Sequence, residues 1–247
     1  MASTESLKVK LFCDGADFAS IMALYADPRI KGFTTNPTLM RKAGIPDYEA
    51  FARRVLRAIP DRPVSLEVFA DDPDGMEQQA LALASWGRNV NVKIPVTNEN
   101  GEFMGDLIHR LSSAGVTVNV TAILTVEQVQ RVAEALDPSA PAIVSVFAGR
   151  IADTGVDPVP VMIEALKILR SRPRVELLWA SPREVLNIFQ ADRAGCHIIT
   201  VPPDILQKLN LVGKNLTAYS RETVRMFHND ARAAAYRIET RTLAAAQ

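Results

Sequence analysis

The stretch Thr117-Val118-Asn119-Val120-Thr121-Ala122-Ile123-Leu124-Thr125-Val126-Glu127-Gln128, continued to Ala135, holds two periodicities in succession. Residues 117–122 are short, β-branched and bounded by turn residues, which suits a buried parallel strand better than a half-exposed antiparallel one. Side chains alternate across a strand, so Asn119 and Thr121 share one face while Val118 and Val120 share the other. Thr125 then starts a helix: with Gln128 three residues on, hydroxyl and amide can satisfy each other's free backbone N–H groups in a capping box. An amphipathic stretch over 126–135 follows. This is one strand-and-helix unit.

The same unit recurs along the chain. Strands are predicted at 9–14, 32–35, 64–69, 90–94, 117–122, 142–147, 176–180 and 197–201. Helices are predicted between them at 17–26, 48–58, 73–86, 103–114, 126–135, 158–170 and 182–194. Asp72-Pro73, Asp157-Pro158 and Ser181-Pro182 each place a cap residue before a proline suited to the first helical turn. Eight strands alternating with helices is the arithmetic of a single (β/α)8 TIM barrel of the α/β class. The barrel is expected over about residues 8–203 of one domain spanning 1–247. C-terminal helices over about 204–247 form an extension: a short one at 204–208 and a long one from about 217 to 245. That long helix reads either as a cover for the barrel's lower end or as a contact between subunits, which would make the protein a homo-oligomer.

Composition narrows the function. The 247 residues carry 28 Lys+Arg against 28 Asp+Glu, and this balance argues against general nucleic-acid binding, which needs a basic field. Two cysteines, Cys13 and Cys196, are too few for a disulfide scaffold. No apolar run approaches a membrane span, and the first residues lack a signal-peptide profile, so a cytoplasmic location with no membrane partner is expected. His109, His197 and His228 are scattered without metal-ligand spacing, and no dinucleotide or Walker motif occurs. Neither a metal nor another cofactor is therefore expected.

In a barrel of this kind, reactive groups gather at the C-terminal ends of the strands. Polar residues where a buried strand should be apolar are Asp14, Thr34-Thr35-Asn36, Glu67, Lys93, Asn119 with Thr121, and Ser145. Taken singly, several have plain structural readings. Asp14 could cap the next helix, Asn36 before Pro37 could form a turn, and Thr121 or Ser145 could be core hydroxyls. Lys93 between Val92 and Ile94 is different, because its ammonium cannot simply reach water from a central strand. Burial favours a neutral, nucleophilic amine, whose usual chemistry is imine formation with a carbonyl compound.

Four segments together resemble the transaldolase family over about residues 8–230: Gly32-Phe33-Thr34-Thr35-Asn36-Pro37, Val92-Lys93-Ile94-Pro95, Val118-Asn119-Val120-Thr121 and Ser145-Val146-Phe147-Ala148-Gly149-Arg150. The short chain is most similar to the small transaldolases, a branch shared with the fructose-6-phosphate aldolases. By this resemblance Lys93 forms the Schiff base, Asp14 is the acid/base, and Glu67 and Thr121 hold the water that relays protons. Thr34, Asn36 and Asn119 orient the three-carbon unit, and Ser145, Arg150, Ser181 and Arg183 receive the phosphate of sugar phosphate substrates. The resemblance also implies a Gln at position 67 and a Tyr at position 147 in the aldolase branch. Glu67 and Phe147 therefore point to transfer of dihydroxyacetone, because fewer proton donors near the enamine would let it persist. The longer loop Thr97-Asn98-Glu99-Asn100-Gly101-Glu102 departs from the family's shorter turn. An aldolase that releases its product and a non-catalytic sugar-phosphate binder are the alternatives.

Overall fold

The computed structural model describes residues 4–239. Within them the stretch Thr4–Leu209 forms one unit, and the residues from Asn210 onward form another. The first unit holds a closed barrel of eight parallel strands in chain order: β1 (Lys10–Asp14), β2 (Ile30–Thr34), β3 (Val64–Glu67), β4 (Val90–Pro95), β5 (Val118–Ile123), β6 (Ala142–Val146), β7 (Val175–Trp179) and β8 (Ile198–Val201). β8 pairs back to β1 in parallel, with Phe12 opposite Thr200. The sequence-based fold class is thus the observed one.

Strand pairing fails to be regular at one informative place. β5 meets β4 with Lys93 opposite Asn119, but its register against β6 shifts between Val120 and Ile123. Ala122 sits inside this bulge at φ 61°, a region that residues with a Cβ rarely enter. The bulge lies at the strand's C-terminal end, beside Thr121.

Helices surround the barrel: α1 (Phe18–Tyr25), α2 (Pro37–Lys42), α3 (Tyr48–Ala58), α4 (Pro73–Ser85), α5 (Gly105–Ser113), α6 (Val126–Ala135), α7 (Ala148–Asp153), α8 (Pro158–Leu169), α9 (Leu186–Ala194) and α10 (Pro203–Gln207). The capping box of α6 is present in both halves. Asp72 caps α4 and Asp157 caps α8 through their side-chain oxygens, each with proline in the first turn. Outward-facing strand residues such as Val92, Val118, Val144, Leu177 and Ile199 are fully buried, as are Ile108, Val132, Met162 and Ile188 of the helices. Each such side chain contributes roughly 1.5–3 kcal/mol by leaving water. Inside the barrel, Phe12, Ile143, Leu178 and Ile198 form an apolar plug. Gly32 makes room for it, since a Cβ there would lie 2.5 Å from the Phe12 ring.

Several boundaries differ from the sequence reading. α2 and α7 are additional helices, with no counterpart among those predicted from the sequence. α5 begins at Gly105 rather than 103, because Phe103 is held in a β-bridge with Thr97. α9 begins at Leu186 rather than at Pro182. Ser181 cannot act as its cap, since its backbone is left-handed at φ 58°. The Asn187 side chain instead accepts from the N–H groups of Arg183 and Glu184, stabilising a non-helical turn ahead of α9. In the second unit, α11 (Leu216–Ala233) is capped by Asn215, whose side chain accepts from Ala218 N–H. It stops well short of the expected 245, with Ala235 left-handed at φ 52°. Residues 240–245 of that expectation lie outside the described residues.

Candidate active site

A cavity of about 450 Å³ opens at the C-terminal ends of the strands. Asp14, Thr34, Asn36, Glu67, Lys93, Asn119, Thr121, Ser145, Phe147, Arg150, Ser181 and Arg183 all line it. The structure therefore brings together all of the polar strand residues singled out from the sequence except Thr35, whose side chain does not line the cavity. β1 to β6 and the segments that follow β2, β6 and β7 supply these groups, and the pleat's alternation turns the strand residues inward.

Lys93 lies at the centre, with its side chain only 9 % exposed. Its Nζ donates to Glu67 Oε2 at 2.6 Å and to the Thr35 carbonyl at 3.1 Å. The neighbouring strand delivers Glu67, which stands opposite Lys93 in the β3–β4 register. A buried ammonium is tolerable only with such partners.

Asp14, on the other side, accepts a hydrogen bond of 2.7 Å from the Thr34 hydroxyl. Burial holds its carboxyl above the usual carboxylate range, against the opposing pull of Lys93 and of the Thr34 hydrogen bond. A carboxyl that is harder to ionise than usual holds a proton more firmly once it has taken it, which suits an acid/base. Thr34 is itself locked to Thr200, oxygen to oxygen at 2.5 Å.

Lower in the barrel, Ser145 donates to Asn119 Oδ1 at 2.6 Å and Asn119 Nδ2 donates to Ser65 Oγ at 3.2 Å. This chain fixes the Asn119 amide. Thr121 Oγ1 is buried without a hydrogen-bond partner among the described residues. It faces the cavity, so its hydroxyl is free for whatever enters. Asn36 spends its amide oxygen on capping α2, accepting from Leu39 N–H at 2.9 Å. Among the described residues its amide nitrogen makes no hydrogen bond.

The rim is cationic. Arg150 lies 5.2 Å from the centroid of the Phe147 ring, while Arg183 pairs with Asp153 through both guanidinium and carboxylate forks. Lys42 and Thr38 of α2 join the lining, and the sequence reading missed both because it missed the helix. Thr200 was missed too, although it is a polar residue inside Ile198-Ile199-Thr200-Val201 and meets the criterion that found Ser145. Cys13, one residue from Asp14, is buried; that burial and the neighbouring carboxylate push its thiol up to about 12, which suits a core residue. His197 accepts from Leu177 N–H at 2.9 Å and is held below its usual range chiefly by burial.

Residues 11–243 match the transaldolase/fructose-6-phosphate aldolase family. The chain belongs to that family. It is therefore an enzyme of the transaldolase/aldolase type. A protein of Dehalococcoides mccartyi named "Probable transaldolase" is 35% identical over 202 residues, covering 81% of this chain and 90% of that protein. One of Listeria monocytogenes named "Probable transaldolase 2" is also 35% identical, over 81% of this chain and 88% of its own length. Among solved structures, 3-hexulose-6-phosphate synthase from Salmonella typhimurium superposes with a TM-score of 0.56 at 16% identity, covering 81% of this chain and 91% of that one. At that identity the likeness concerns the barrel alone. Among the described residues, no helix is long and apolar enough to cross a membrane.

Proposed function

We propose that this member of the family is a transaldolase, moving a dihydroxyacetone unit from a ketose phosphate to an aldose phosphate through an imine on Lys93. The observation that carries this reading is the buried Lys93 Nζ, 2.6 Å from Glu67 and in one cavity with the protonatable Asp14. In this reading Glu67 takes the proton that the ammonium must shed before attack. The Lys93 amine adds to the donor's C2 carbonyl, and water leaves to give the protonated imine. Glu67 and the free Thr121 hydroxyl hold and relay that water.

Asp14 then accepts the proton of the C4 hydroxyl as the C3–C4 bond breaks. The bonding pair moves into the imine and forms an enamine, and the shortened aldose departs. The enamine carbon attacks the acceptor's aldehyde, and Asp14 returns its proton to the new alkoxide. Hydrolysis of the imine frees Lys93 and the product ketose. Thr34, Asn36 and Asn119 orient the three-carbon unit. Ser145, Ser181, Arg150 and Arg183 face the phosphate, where guanidinium forks suit a tetrahedral anion. A homo-oligomer formed through α11 belongs to the same reading, and its mass in solution tests it.

Borohydride reduction in the presence of fructose 6-phosphate tests the imine. The expected result is a stable three-carbon mass increment on the peptide containing Lys93, absent from Lys93→Ala. Lack of an adduct with any ketose phosphate would overturn the reading.

A further inference from the structure

On the side that faces β2, the end of β3 is held by side chains instead of by a strand. β2 pairs with β3 only at Phe33 opposite Val64 and Thr34 opposite Ser65, and the last backbone bond between them runs from Thr35 N–H to the Ser65 carbonyl at 3.2 Å. Beyond Thr35 the chain turns away into α2, whose cap is Asn36. Along a strand, alternate residues aim their N–H and C=O to the same side. Ser65 uses its carbonyl toward β2, so Glu67 presents both backbone groups to that side, two residues past the last β2 bond.

The Tyr48 hydroxyl takes both. It accepts from Glu67 N–H at 2.9 Å and donates to the Glu67 carbonyl at 2.8 Å. The same device continues one step on, where Gln79 Oε1 accepts from the N–H groups of Phe69 and Ala70. The Tyr48 ring is fixed edge-on to Phe69 with centroids 5.4 Å apart, and lies 6.4 Å from Trp86. Burial also pushes the phenol well above its ordinary range, so it remains a donor.

We infer that Tyr48 is a positioning residue of the active site: its hydroxyl replaces the missing β2 ladder and so fixes the Glu67 carboxylate on Lys93. A hydroxyl can do both jobs at once because it has one proton and two lone pairs. Phenylalanine keeps the ring packing and removes only this clamp. It leaves the N–H and C=O of Glu67 unpaired where the barrel wall ends, and the carboxylate loses its fixed placement.

The inference rests on the Lys93–Glu67 pair serving the proposed reaction, so its test reads that pair without any sugar substrate. Lys93 is labelled with pyridoxal phosphate and borohydride, and the modified peptide is followed by mass spectrometry. Removing the carboxylate that takes the ammonium's proton, in Glu67→Gln, is expected to slow labelling several-fold. Tyr48→Phe should move the rate in the same direction by about two- to fivefold, and should add nothing in the Glu67→Gln background. A folded Tyr48→Phe protein that labels like wild type, or effects that multiply in the double variant, would overturn the inference.

Amide hydrogen exchange of the unaltered protein provides a measurement that no folding defect can obscure. Glu67 N–H should be protected despite having no strand partner on that side, and exchange as fast as an open loop would overturn the clamp. With substrate, Tyr48→Phe is expected to lower kcat about tenfold while the donor KM stays within about threefold. Failure of wild-type protein to trap a ketose while the labelling pattern holds would instead refute the proposed reaction and leave the clamp standing.

Discussion

Asp14 receives a hydrogen bond from Thr34 and feels the attraction of Lys93, yet burial outweighs both and holds its carboxyl above the ordinary range. In the unfolded chain it ionises near the usual value of about 4. Between that value and the folded one, the folded state binds more protons than the unfolded, so stability falls as pH rises. The full penalty is present above the folded value. Asp14→Asn abolishes it, and its amide oxygen can still accept from Thr34. The expected outcome is a melting temperature above wild type at about pH 8, a gap that closes at about pH 4, and turnover lowered by roughly 10²–10⁴-fold. Thermal unfolding followed by circular dichroism at both pH values checks it. A gap that persists unchanged at the lower pH would contradict the assignment of the penalty to Asp14. At this scale the sequence was informative wherever a polar residue interrupted a Val/Ile run. Lys93, Glu67 and Asn119 announced themselves because a parallel strand has no reason to bury them idle. Thr200 carried the same signal unread, and Tyr48 carried none, since an aromatic near the start of an amphipathic helix looks like ordinary packing.

Elements were legible where a local rule acts alone. The Thr125–Gln128 box and the Asp-Pro starts of α4 and α8 need nothing beyond their own residues. α7 is different. Phe147 at its cap position makes no side-chain capping bond, and the helix is only 6 residues long, so no periodicity can develop. What sets it is tertiary: Gly149 lies against the left-handed Ser181, and a Cβ there would stand 1.5 Å from the Ser181 carbonyl oxygen. The same contact explains why Ser181-Pro182 looked like a helix start and is not one. It also brings Arg150 and Ser181 to one wall of the cavity. Gly149→Ala must therefore push α7 away from the end of β7. Overpacking of this kind typically costs about 1–3 kcal/mol. The expected result is that loss in denaturant unfolding, with the KM for a phosphorylated donor raised about tenfold or more and the KM for free dihydroxyacetone little changed. An alanine variant with wild-type stability would show that the close approach is not maintained in solution.

For the molecule as a whole, the 28 basic and 28 acidic residues cancel, so no net field draws an anionic substrate from afar. The cations that matter are local: Lys42, Arg150 and Arg183 at the cavity, the last already paired with Asp153. This arrangement separates two kinds of salt dependence. Steering by a whole-molecule field acts over distances longer than the screening length, about 8–10 Å at physiological salt, and collapses as that length shortens. Contact between a guanidinium and a phosphate inside a concave site is screened much less. If the proposed transfer operates here, kcat/KM for a ketose phosphate should fall only about two- to fivefold between roughly 0.05 and 0.5 M salt, with the change residing in KM. A neutral donor such as dihydroxyacetone should show no dependence over the same range. Arg150→Ala should then raise the KM for the phosphorylated donor and flatten its residual salt dependence toward that of the neutral one. Steady-state kinetics across a salt series, with both donors and both proteins, measures all of this together. A drop of a hundredfold or more for the phosphorylated donor would mean that a long-range field assists capture, which a balanced exterior cannot supply.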